Sequence, residues 1–160
     1  MRIFLIFGAL VALTTAYPLT SPNTDPEAQK IVEDFLFTSF RYFLQGNLTF
    51  LDNDFYLMDN EGNKATKYQL EIAFGPQLTI LREKYENDEE FRKQVDELLN
   101  QKRDGDWSNC VIQFINNRFI EVKMIKDNLL VGYIILKPND NFEGGYKLHR
   151  LVIVGELQTD

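Results

Sequence analysis

Cysteine and histidine are nearly absent from this 160-residue chain, which carries one of each, Cys110 and His149. A single thiol excludes an intramolecular disulfide and any zinc site built on cysteine pairs. A single imidazole, with no second ligand at helical or hairpin spacing, argues against a histidine metal site, so no metal or other cofactor is expected. Glycine-rich phosphate loops are missing as well, because Gly144-Gly145 does not stand between a strand and a helix. No Gly-x-Ser-x-Gly nucleophile elbow occurs. Positive charge is scarce, with 17 basic residues against 24 acidic ones and a net charge of −7. A phosphate backbone would be repelled, and no basic stripe interleaved with aromatics offsets this, so nucleic acid is not an expected partner. Beyond the first residues, no apolar run approaches membrane length. Leu129 to Leu136 is only eight residues long and contains Gly132.

What is present begins with a leader. Met1-Arg2 is a minimal basic start, Ile3 to Leu13 is apolar, and Thr14-Thr15-Ala16 supplies small residues for cleavage. Residues 1–16 therefore read as a secretory signal peptide, and the product is expected to be extracellular, with no membrane insertion after its removal. Losing Arg2 moves the net charge to −8. Residues 17–25, with Pro18 and Pro22, read as an extended lead, and residues 26–157 as one domain. A chain of that size buries roughly two-thirds of its unfolded surface without disulfide help.

The C-terminal half specifies strands. Cys110 to Ile115 is rich in β-branched and aromatic residues, and Cys110 reads as a small buried hydrophobe there. Asn116-Asn117 suits a two-residue hairpin turn. Ile120, Val122 and Met124 then share one face of the next strand at period two. Lys126-Asp127-Asn128 turns the chain into Leu129 to Lys137, which Pro138 stops. A polar loop leads to a last strand, Tyr146 to Leu157. Such short connections predict antiparallel neighbours. The third and last strands are apolar on both faces, so a homodimer through the outer sheet face, or a sheet curled around a pocket, is expected.

The N-terminal half reads as helices. Asp25-Pro26-Glu27 combines a cap acceptor, a proline at the first helical position and an acid at the positive dipole end. Ile31, Phe35, Phe40 and Phe43 recur near helical spacing up to about Gln45, where Gly46 suits the left-handed end position. Phe50 to Phe55 reads as a short helix, followed by a short strand, Phe55 to Met58. Thr66 or Lys67 opens another helix, which Gly75-Pro76 is expected to break or kink. Asn87 with Glu90 forms a capping-box pattern for a further helix carrying the stripe Phe91, Val95, Leu98, Leu99. Asn47-Leu48-Thr49 fits the N-glycosylation acceptor pattern and falls in a turn, so Asn47 is a candidate glycan site.

Helices followed by long strands make an α+β fold, with N-terminal helices packed on a curved antiparallel sheet. Ile31 to Asp59 (IVEDFLFTSFRYFLQGNLTFLDNDFYLMD) and Cys110 to Pro138 (CVIQFINNRFIEVKMIKDNLLVGYIILKP) carry a resemblance in element order. In that order the chain resembles the nuclear transport factor 2-like (cystatin-like α+β cone) superfamily, in particular its small exported nematode members. The resemblance spans residues 26–157, with Tyr85 to Arg103 as a helical insertion. It implies a cone-shaped, barrel-like sheet wrapped on the first helix, an open end that holds a small molecule, and dimerisation through the sheet. It does not fix a function, because this cone hosts isomerases, dehydratases and transport adaptors alike.

Two functional classes follow. The first is a secreted, non-catalytic binding domain for a small apolar ligand or a protein partner, with Phe40, Phe43, Tyr56 and Tyr133 as candidate ligand-binding residues. The second is an isomerase- or dehydratase-like enzyme in which His149 or Tyr42 acts in the cone. His149 is the chain's one imidazole, the side-chain type suited to general acid–base work, and it shares a strand face with Leu151 and Ile153. Tyr42 lies on the first helix but has no distinctive motif around it. Cystatin-type inhibition is disfavoured, since no Gln-x-Val-x-Gly pattern occurs and Trp107 is followed by Ser108.

Overall fold

The computed structural model of the protein describes residues 24–100 and 109–155. The expected leader and most of the extended lead lie outside them, as do Trp107 and the end of the last expected strand. Helix α1 is Pro26–Leu44, begun as the sequence indicates. Asp25 accepts hydrogen bonds from the Glu27 and Ala28 amides at 2.9 and 3.1 Å, and Pro26 occupies the first turn. Strands β1 (Leu51–Met58) and β2 (Lys64–Thr66) form a hairpin. Helices α2 (Lys67–Asn87) and α3 (Glu89–Asn100) follow. Strands β3 (Cys110–Phe114), β4 (Ile120–Lys126), β5 (Leu129–Pro138) and β6 (Tyr146–Ile153) complete the sheet.

The fold is α+β and, among the described residues, has three helices on a six-stranded sheet of order β2-β1-β6-β5-β4-β3. Two expectations change. The sheet is mixed, because β1 runs parallel to β6. Antiparallel pairing follows from short connections, whereas β1 and β6 are joined through most of the chain and nothing constrains their direction. The sheet is also open, ending at β2 and β3, rather than closed into a barrel. Three register irregularities bend it, at Leu51/Tyr56, Met124/Ile125 and Ile135/Leu136. At Gly132 a Cβ would lie 2.8 Å from the Val152 carbonyl oxygen, so the strands approach there as only glycine allows.

The segment before α1 covers the β3 edge. The Asp25 amide donates to the Ile112 carbonyl at 2.8 Å, and the Ile112 amide donates to the Thr24 hydroxyl at 3.1 Å. This leaves fewer free backbone groups on an edge that could recruit another strand.

The core lies between α1 and the inner sheet face. Val32, Phe35 and Leu36 of α1 meet Ile112, Ile120, Val122, Ile134, Leu136, Leu148 and Leu151. Phe50, Ile112, Ile120, Leu136, Leu148 and Leu151 are each at most 2% exposed. Each such side chain contributes roughly 1.5–3 kcal/mol of burial. Cys110 is buried in this layer, as its apolar neighbours imply.

Four local expectations are corrected. Leu51 to Phe55 belongs to β1, not to a short helix, because Leu51, Phe55 and Leu57 all turn into the core. Gly75-Pro76 does not break α2. Pro76 sits on the exposed side, so the carbonyl that loses its partner faces water, while Leu70 and Leu78 on either side are buried. The N-cap of α3 is Asp88, whose carboxylate accepts from the Phe91 amide at 3.0 Å, one residue after the expected Asn87. The hairpin turn after β3 is likewise displaced, with positive φ at Asn117 and Arg118 rather than Asn116 and Asn117. Among the described residues, no helix is long and apolar enough to cross a membrane.

Candidate functional site on the outer sheet face

The β5–β6 irregularity creates the most distinctive polar arrangement of the fold. Ile135 pairs with Arg150 and Leu136 with Leu148, which leaves His149 as an extra, unpaired residue in β6. Leu148 and Leu151 keep their places in the core, so the bulge turns His149 to the outer face. There its Nδ1 meets Asp52 Oδ2 at 2.9 Å. Both side chains are largely shielded, 15% and 11% exposed respectively.

Cations surround this pair. Lys137 Nζ lies 3.7 Å from Asp52 Oδ2. Arg150 Nη1 sits 3.3 Å from His149 Nδ1 and donates to the carbonyls of Asp54 and His149 at 2.6 and 2.7 Å. An ionised carboxylate only accepts, so Nδ1–H pointing at Asp52 is the tautomer that satisfies it, and Nε2 then carries the lone pair. The Arg150 approach to Nδ1 is a close contact between two donors, not a hydrogen bond. The Phe119 ring meets the imidazole edge-on at 5.8 Å. Burial alone would raise the Asp52 pKa, but the His149 hydrogen bond and the Lys137 charge together hold it below its ordinary value. Lys147 is held below its ordinary value by burial and by repulsion from Lys67, with Asp52 pulling the other way.

The residues singled out from sequence fall in different places. Tyr42 stays at the C-terminal end of α1, where its hydroxyl donates to Glu143 at 3.3 Å and its ring packs 5.2 Å from Phe142. Arg41 pairs with the same Glu143 carboxylate. That hydrogen bond and charge hold the Glu143 pKa below its ordinary value. Phe43 packs against the core from α1, and Phe40 is half-buried on the same helix. Tyr56 and Tyr133 stand on the outer sheet face, since their strand neighbours Phe55, Leu57 and Ile134 point inward. The cationic groups of Lys64 and Arg150 lie 4.5 and 4.0 Å from the Tyr56 ring centre. The four aromatics expected around one hollow are thus split between the helix and the far side of the sheet.

Sequence reasoning found His149 but missed Asp52. Buried aspartates are rare, and nothing local to Asp52 announces a partner 97 residues away. Chemically, the pair is an oriented imidazole able to take or give a proton at Nε2. Among the described residues, no group of three or more His, Cys, Asp or Glu side chains is placed to hold a metal ion.

Comparison with known proteins finds no match among family models, curated proteins or solved structures.

Proposed function

We propose that the chain is an exported, non-catalytic binding domain of the nuclear transport factor 2-like kind that works through the outer face of its sheet. The observation that carries this reading is the make-up of that face. Met58, Ile125, Val131, Tyr133 and Ile135 are half-buried there, while α1 packs on the opposite side. Small apolar ligands are held in concave sites that bury most of their surface, whereas an open sheet face suits a protein surface. The occupant that fits is a second copy of the chain. An isologous contact needs a self-complementary patch, and this one sets both signs of charge side by side, with Asp52 and Glu121 beside Lys123, Lys137 and Arg150.

Sedimentation velocity of the secreted protein tests this. A dimer is expected, and Tyr133→Glu should yield folded monomer. A wild type that stays monomeric at every concentration, and carries no protein or hydrophobe through native mass spectrometry, overturns the reading.

The Asp52–His149 pair favours a second reading, proton transfer of the isomerase or dehydratase type with His149 as the base. Its test is deuterium uptake from solvent at carbon next to the carbonyl in a panel of unsaturated ketones. Uptake lost in His149→Gln supports catalysis, and no uptake by the wild type rejects it for those substrates.

A further inference from the structure

The turn after α1 is fixed more firmly than a polar surface turn requires. Gly46 has φ +72°, and a Cβ there would lie 2.2 Å from the Leu78 carbonyl oxygen, so the turn presses on α2. Arg82 reinforces the contact by donating to the Gly46 carbonyl at 3.1 Å. Asn47 follows, half-buried, its Oδ1 accepting from the Thr49 amide at 2.9 Å. That leaves the amide nitrogen, Nδ2, without a hydrogen-bond partner among the described residues. Thr49 is exposed, and Leu48 between them is buried. Asn47 also lines a cleft of about 440 Å³ together with Gln45, Arg82, Tyr85 and Glu86.

We infer that Asn47 carries an N-linked glycan and that this cleft seats its first N-acetylglucosamine. The inference rests on the proposed export, which brings the chain to the glycosylation machinery. In the transfer, the bond from Nδ2 to sugar C1 forms as the C1–O bond of a lipid-pyrophosphate-linked oligosaccharide breaks. The pyrophosphate leaves with the electron pair, and Nδ2 gives up one proton. Once attached, the sugar lies where the acceptor nitrogen meets the cleft. Tyr85 offers a ring for the apolar face of the pyranose. Arg82 has N–H groups to spare for its oxygens, and Glu86 can accept from its hydroxyls. At this volume, near the small end of ligand pockets of roughly 300–1,000 Å³, the cleft suits the first sugar and leaves the outer branches in solvent.

The test is secretion of the full chain from insect cells, once behind its own leader and once behind a strong foreign leader. Intact mass and glycopeptide sequencing read Asn47 occupancy. Endoglycosidase trimming to a single N-acetylglucosamine then gives the form whose melting is compared with unglycosylated Thr49→Ala. Occupied Asn47 is expected, with the trimmed form melting about 2–4 °C higher. Tyr85→Ala should erase that difference while changing the Thr49→Ala background little. Bare Asn47 in protein secreted behind the foreign leader overturns the inference. Occupied Asn47 with no melting difference overturns the cleft's part in it. Failure of the chain's own leader alone refutes export and leaves Asn47 to be judged from the foreign leader.

Discussion

On the inner face of the sheet, alternate residues of β3 to β6 are shielded almost completely by α1 and by one another. One position along each strand, the outer face holds half-buried aliphatics, two tyrosines and a network of charges around Asp52 and His149. The same backbone thus obeys two selection rules, volume on one side and charge balance on the other. Close packing makes the inner side intolerant of lost atoms. The outer side should tolerate lost atoms but not a lost countercharge.

The largest expected effect tests the inner rule. Leu136→Ala should cost about 2–5 kcal/mol in urea unfolding, because its cavity is closed on every side. Ile135→Ala, next along β5 and facing out, should cost about 1 kcal/mol or less. Equal losses at the two positions would erase the contrast. Asp52→Ala comes next, with about 1–3 kcal/mol lost, since His149 would stay shielded and lose its acceptor, while the more exposed Lys137 turns to water. The water-facing side of α2 gives a change of opposite sign. Pro76→Ala should stabilise by about 1–2 kcal/mol, because the amide donor the helix regains outweighs the freedom that the unfolded chain also regains.

The smallest effect is a dependence on pH. Asp52 and Glu143 both have folded pKa values below their ordinary ones. Between the folded and unfolded values the unfolded chain binds more protons, so stability rises with pH across that acidic window. Their contribution is complete above the unfolded carboxylate values, at about pH 4, and disappears as pH falls through the folded ones. Urea midpoints across that window should rise less steeply in Asp52→Ala. Glu143 is half exposed and adds little.

Much of the fold was legible in the chain. Asp25-Pro26 announced α1, period-two patterning announced β4, and Asp127-Asn128, both at positive φ, turned β4 into β5. These are local signals, carried by residues that act within a few positions of themselves. The parallel β1–β6 pair was not legible, because the parts that meet are distant in sequence and no local residue sets their direction. The misassignment near Phe50 has a local cause. Leu51, Phe55 and Leu57 stand at the even spacings of a strand, but Asn53, which completes that set, is polar and exposed, so the alternation is broken in the sequence. Half of the polar site was visible, since a lone histidine draws notice, whereas an aspartate between Leu51 and Asn53 reads as ordinary surface.

The position of β6 has a consequence for synthesis. It is the last of the described strands to be synthesised, yet it lies in the middle of the sheet, between β1 and β5. A nascent chain lacking Tyr146–Ile153 therefore holds a two-stranded hairpin and a three-stranded ribbon, each with an unmet margin. Until β6 is made, those margins are open to chaperones or to wrong neighbours, and products truncated before it should be cleared rather than folded.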